Sequence, residues 1–260
     1  MFTIARPPPR TRPVAPWFVL VAISLAATLA LPAVSNAAER ATTLRYGVSH
    51  LGRELGVLKM TLPSARSGVK RVVVKGKLTV PGSSLTVTFD SQSHMDLASG
   101  YARKQNWRFA VFGAPRSARG TIERDDRAGK AGSTPRWRLN AELKHDDAVE
   151  ARVKADRPGD ISDIVTFGSW LARQAATTDL RTHVYGGYFL YDVFGRHAGR
   201  ETVALPAGPR MADRWELRAT RPGRTRVVTL WTDPEALIPL KASVDLDYFG
   251  SIEIALLSVN

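Results

Sequence analysis

The sequence predicts a mainly β protein: a curved antiparallel sheet or partly open barrel with one central amphipathic helix packed on it. Three observations lead there. Apolar residues alternate with polar ones along segment after segment, turn residues separate the segments, and in one stretch the apolar spacing lengthens to that of a helix.

From Val72 to Val80 the even positions Val72, Val74, Gly76, Leu78 and Val80 oppose the odd positions Arg71, Lys75 and Lys77. Period two puts the two sets on opposite faces, one apolar and one basic. A Pro81-Gly82 turn leads to Leu85, Val87 and Phe89, and Trp107, Phe109 and Val111 form a further strand. Trp137, Leu139, Ala141 and Leu143 alternate with charged or amide residues and pair as a hairpin with Val149, Ala151 and Val153. Arg124 to Pro135 reads as a loop. In the second half Trp215, Leu217 and Ala219 enter an Arg221-Pro222-Gly223-Arg224 turn, from which Val228 and Leu230 return. Ile238 to Leu246 alternates again, and Ile252, Ile254 and Leu256 follow a turn at Gly250. Short turns between regular strands predict a meander rather than βαβ units. Between the halves, Ile161, Ile164, Val165, Gly168, Leu171, Ala172 and Ala175 have helical spacing, with Asp160 as the expected N-cap.

The N-terminus reads as an export signal. Arg6, Arg10 and Arg12 precede an apolar run from Trp17 to Leu31, Pro32 breaks it, and Ser35-Asn36-Ala37 has the spacing of a cleavage site. The expectation is a signal peptide over 1–37 and a periplasmic domain over 38–260. That domain is one unit, or two halves (38–157 and 176–260) joined by a helix at 160–175. The alternative is an uncleaved, inner-membrane-tethered form. Without the tether, membrane contact is expected to be peripheral. With no cysteine the fold forms without disulfides, and no acyl anchor is available.

The formal net charge is +13; removing the leader's three arginines leaves +10. A basic balance suits acidic partners, and export makes nucleic acid the poorest of them, so a lipid, an acidic glycan or an envelope protein is expected instead.

Four places resemble an exported bacterial family catalogued as a domain of unknown function, number three-one-zero-eight. These are Leu44-Arg45-Tyr46-Gly47-Val48 with Gly52 and Gly56, Asp160 to Arg173 including Trp170-Leu171-Ala172, Leu230-Trp231-Thr232-Asp233 with Pro239-Leu240-Lys241, and Phe249-Gly250-Ser251-Ile252. The resemblance implies a periplasmic β-rich protein of unknown activity and brings no catalytic residue with it.

The five histidines have no metal-binding spacing, and no Gly-x-Ser-x-Gly elbow, acid pair across a cleft or phosphate loop appears. No catalytic residue, metal or cofactor is therefore assigned, and a non-enzymatic role is expected; a polymer hydrolase is the weakest reading. The first functional expectation is a binding factor for a hydrophobic or amphiphilic envelope molecule. It would use Tyr188, Tyr191, Trp215 and Trp231, with Arg173 meeting an acidic head group. The alternative is an assembly or interaction protein docking through the basic strand face of Arg71, Lys75 and Lys77.

Overall fold

A computed structural model of the chain describes residues 42–62, 69–79, 86–96, 102–111, 114–125, 136–145, 148–174, 179–187, 189–245 and 250–260. The leader, the Pro81-Gly82 turn, most of the Arg124–Pro135 loop and Tyr188 lie outside the described residues.

Two meanders make up one sheet. The first comprises β1 (Thr42–His50), β2 (Arg53–Leu62), β3 (Val69–Thr79), β4 (Thr86–Asp96), β5 (Ala102–Val111), β6 (Ala114–Asp125), β7 (Arg136–His145) and β8 (Ala148–Pro158). The second starts with a three-residue strand, β9 (Ile161–Asp163), and a one-turn helix, α1 (Phe167–Leu171). It continues through β10 (Leu180–Tyr185), β11 (Leu190–Val203), β12 (Arg210–Arg221), β13 (Arg224–Asp233), β14 (Ile238–Asp245) and β15 (Ser251–Val259). Because β15 pairs with β1, the fifteen described strands run from β8 down to β1 and then from β15 down to β9. Neighbours are antiparallel except β9 and β10.

This order has a geometric consequence. Strands β8 and β9 occupy opposite edges of the sheet, yet only Gly159 and Asp160 separate them. Fourteen inter-strand gaps of about 4.8 Å would place those edges about 67 Å apart if the sheet were flat. Three Cα steps of about 3.8 Å span no more than about 11 Å. The sheet must therefore curl until its edges meet. Gly159 makes the reversal at a φ of +102°, which a residue with a Cβ rarely adopts.

The curled sheet closes through side chains of β4–β7 against β9, β10 and the residues after β10, not through a backbone ladder between its edges, so it stays open. The Ser93 hydroxyl on β4 donates to the Asp163 carboxylate on β9. The Tyr185 ring lies so close over Gly120 that a Cβ there would stand 2.6 Å from it. At Gly187 a Cβ would stand 2.7 Å from the Trp107 indole. The Tyr185 hydroxyl donates to the Gly187 carbonyl at 2.7 Å, and Trp137 meets the His183 ring edge-on at 5.1 Å. The main core runs along the inner face from Phe89 and Trp107 to Tyr191, Trp215 and Ile254.

The alternation read from the sequence is the alternation of burial: Val72, Val74 and Leu78 are buried while Arg71, Lys75 and Lys77 are exposed. Two details differ. The helix is only Phe167–Leu171, and Ile161–Asp163 is a strand, not the start of a helix at 160. All five helical residues are buried, so the apolar spacing there reflects burial on every side rather than an amphipathic face. Asp160 does not cap the helix; its carbonyl accepts from the His183 N–H and the Thr182 hydroxyl. The turn into α1 is instead held by Asp163, whose Oδ1 accepts from the N–H groups of Val165 at 2.8 Å and Thr166 at 2.9 Å. On β8, Val149 and Ala151 are exposed: a bulge in the β7–β8 pairing sets Val149 opposite the outward-facing Lys144, and Ala151 opposite Leu143 lies on the sheet's edge strand. Among the described residues, no helix is long and apolar enough to cross a membrane.

Two predictions follow from the seam. Gly120→Val should destabilise the protein by about 1–3 kcal/mol in thermal or urea unfolding, and by much less in a Tyr185→Ala background. An equal cost in both backgrounds would show that glycine and ring do not oppose each other. The second concerns Asp163. Burial pushes its carboxyl up to about 6, against the hydrogen bonds from Ser93, Thr166 and Val165. The native state then holds a proton that the unfolded chain has released, so this stabilisation is complete below about pH 4 and lost as pH rises through 6. The swing is about 3 kcal/mol. The stability difference between wild type and Asp163→Asn, measured by urea unfolding from pH 4 to 7, should shift by about that amount in favour of the asparagine as pH rises. A difference independent of pH would refute it.

Candidate functional site

Of the aromatic residues expected to form a binding surface, the described ones, Tyr191, Trp215 and Trp231, do not converge on one surface. Tyr191 and Trp215 are buried in the core. Tyr191 lies next to Asp192, which pairs with Thr220, about five residues and about 17 Å along β12 from Trp215. Trp215 pairs with Leu230, so Trp231, the next residue, projects from the opposite face. The Trp215 indole N–H donates to the Thr232 hydroxyl, while the Trp231 indole donates to Glu201 at 2.6 Å under the Lys241 amine. Arg173 turns back on its own helix, its guanidinium donating to the Ser169 carbonyl at 2.6 Å.

The basic strand face, in contrast, extends into a larger surface. Strand register places the outward residues of β3–β8 in cross-strand rows. One row reads Lys75, Asp90, Arg108, Ser117, Lys144. The next reads Val73, Gln92, Asn106, Arg119, Glu142, Arg152. A third carries Arg71, His94, Lys104 and, beyond Thr121 and Asn140, Lys154. The acids in these rows are Asp90 and Glu142, and each sits beside a cation: Lys75 to Asp90 at 3.0 Å and Arg152 to Glu142 at 3.1 Å. Both pairs are exposed and hold their charges only weakly.

The first two rows, up to Lys144 and Glu142, line a groove of about 510 Å³ that runs across β3–β7, with Arg71 on its far wall. Along the groove Arg71 donates to the Gln92 amide oxygen at 2.9 Å. A second hollow of about 500 Å³, bordered by Ala110 and Pro115, continues from it and shares Asp90, Arg108, Ser117 and Lys144. Of the groove's cations, sequence reading had found Arg71 and Lys75; Lys77 stands on the same face of β3, one row beyond. It missed Arg108, Arg119 and Lys144, which come from other strands. Their signal was the polar half of each alternating segment, but only the register aligns them.

The local field is felt by His94. Burial lowers its imidazole pKa below the ordinary value, and the Lys104 and Arg71 charges on either side lower it further, against a backbone hydrogen bond at Lys104.

No protein-family model matches the chain, and no curated protein does. Among solved structures it is similar to a Bacteroides fragilis protein described as exported and as having a YmcC-like fold, at 10% identity and a TM-score of 0.36, over 85% of this chain and 96% of that one. A Parabacteroides distasonis protein described as a lipoprotein matches at 9% identity and a TM-score of 0.34, over 85% and 95%. The hypothetical lipoprotein YmcC of Escherichia coli matches at 11% and 0.32, over 84% of each chain. Likenesses of this size carry no functional information.

Replacing Lys104 by Glu removes a like charge beside His94 and supplies an opposite one. The His94 pKa, followed by NMR titration, should then rise; an unchanged or lower value would mean that the row does not act on it.

Proposed function

We propose that the chain is an exported, non-enzymatic docking protein of the cell envelope that holds an acidic partner on the basic outer face of β3–β8. The observation that carries this reading is the register: cations separated widely in sequence line up in adjacent rows, and the two acids among them do not balance the charge. A face of one sign raises the local concentration of an oppositely charged partner and speeds its capture. Export rests on the N-terminal leader, with its three arginines, apolar run and cleavage-site spacing. The docking reading is preferred to an amphiphile held by Tyr191, Trp215 and Trp231. Tyr191 and Trp215 already pack in the core, and Trp231 projects from the opposite face.

The test is direct. Labelled polygalacturonate should bind the mature protein with an affinity that falls as salt is raised, since exposed charges are screened over about 8–10 Å near physiological ionic strength. The triple change Arg71→Glu, Lys75→Glu, Lys77→Glu should weaken binding at least tenfold while leaving the thermal unfolding midpoint within a few degrees. All three side chains are exposed, so the fold does not depend on them. Unaltered binding by the folded triple variant would overturn the proposal.

A further inference from the structure

We infer that the partner on this face is a linear glycan carrying one acidic group on every second sugar, laid across the strands in the β3–β7 groove; this rests on the docking reading above. The charge spacing supports it. Lys75, Arg108 and Lys144 stand in one row on β3, β5 and β7, every second strand. Their backbones therefore repeat at about 10 Å, twice the inter-strand distance. A pyranose unit advances its chain by about one inter-strand distance, so an acid on alternate sugars keeps step with these cations.

The residues between the cations favour the same class of ligand. Asp90 lies between Lys75 and Arg108 in the first row, and Glu142 ends the groove in the second. Carboxylates among the cations oppose a densely charged polymer such as polyphosphate, whose charges would fall beside them. They accept hydrogen bonds from sugar hydroxyls. The amide N–H groups of Gln92 and Asn106 and the Ser117 hydroxyl complete the run with uncharged polar groups suited to neutral sugar hydroxyls; the Gln92 amide oxygen already accepts from Arg71. The concavity argues against a flat anionic bilayer, which would meet the rims of the groove and leave Asn106, which is only partly exposed, out of reach.

Three probes of matched length separate the possibilities: a hyaluronan decasaccharide, with a carboxylate on every second sugar; polygalacturonate, with one on each; and polyphosphate. Phosphatidylglycerol vesicles provide the membrane arm. At about 0.15 M ionic strength, hyaluronan should bind the mature protein more tightly than either denser polymer and more tightly than the vesicles. The double change Gln92→Leu, Asn106→Leu should weaken hyaluronan about tenfold, the equivalent of two ordinary hydrogen bonds, and leave polyphosphate unchanged. If that pair does not fold, Gln92→Ala alone should weaken hyaluronan by about threefold and polyphosphate not at all. Tighter binding of polyphosphate or vesicles, or equal losses for all polymers, would overturn the glycan assignment. The docking reading would stand, provided that Arg108→Glu with Lys144→Glu weakened every polyanion. If that charge reversal changed nothing, both would fall.

Discussion

The two residues between β8 and β9 constrain the whole molecule. A fifteen-stranded sheet whose far edges are joined by Gly159 and Asp160 has no flat solution, so the chain connectivity itself imposes the curl. The curl makes the inner faces of β4–β7 meet those of β9–β11, and what lies at the meeting is set by how closely the layers approach. Glycine at 120 and 187 lets Tyr185 and the backbone settle onto the opposing strands. The polar atoms that come with the approach, Ser93, Asp163 and the Tyr185 hydroxyl, find partners there. The edges close without becoming a ladder: β9 is only three residues long, and its backbone pairs with β10 and not with β8.

Curling also determines where charge can go. With the inner faces of both meanders buried against each other, the polar half of each alternating strand has only the outer face. Between Val69 and Asp125 the sequence holds ten Lys and Arg and four Asp and Glu, a surplus of six carried by β3–β6 and their connections. In the second meander, cations and acids meet more evenly: Arg196 with Glu216 at 2.6 Å, Arg200 with Asp213 at 2.8 Å and Lys241 with Glu253 at 3.2 Å. The basic field is thus a property of one stretch of sheet, not of the surface at large.

Much of the fold was legible because a half-buried strand writes its burial in period two, and from Val72 to Leu78 or Ile252 to Leu256 the pattern is unbroken. The segment 160–175 misled for a physical reason. Where nearly every residue from Ile161 to Leu171 is buried, apolar spacing no longer reports which side faces solvent, and a short edge strand followed by one helical turn resembles a longer helix. The placement of the tryptophans was legible in principle. A two-residue turn at Pro222-Gly223 fixes the pairing of β12 with β13, Arg221 with Arg224, and counting back sets Trp215 against Leu230 and Trp231 on the other face. The basic rows were not legible. Arg71, Lys75 and Lys77 declare one strand face, but aligning them with Arg108, Arg119 and Lys144 requires the register across four hairpins, and no short sequence signal specifies it.

The seam and the groove share strands, and this links the fold to the proposed activity. On β4, Ser93 points inward to Asp163 while its neighbour Gln92 points outward into the groove. On β5, the Trp107 indole receives Gly187 on the inside while Asn106 and Arg108 line the outside. Because successive residues of a strand project from opposite faces, a shift of one residue in either strand would exchange the two sets. The tight inner contacts forbid that exchange, since it would press Asn106 or Arg108 onto Gly187 and turn the indole to solvent. The packing of the seam therefore holds the outer cations in register, and the spacing of charges along the groove is as well determined as the core behind it.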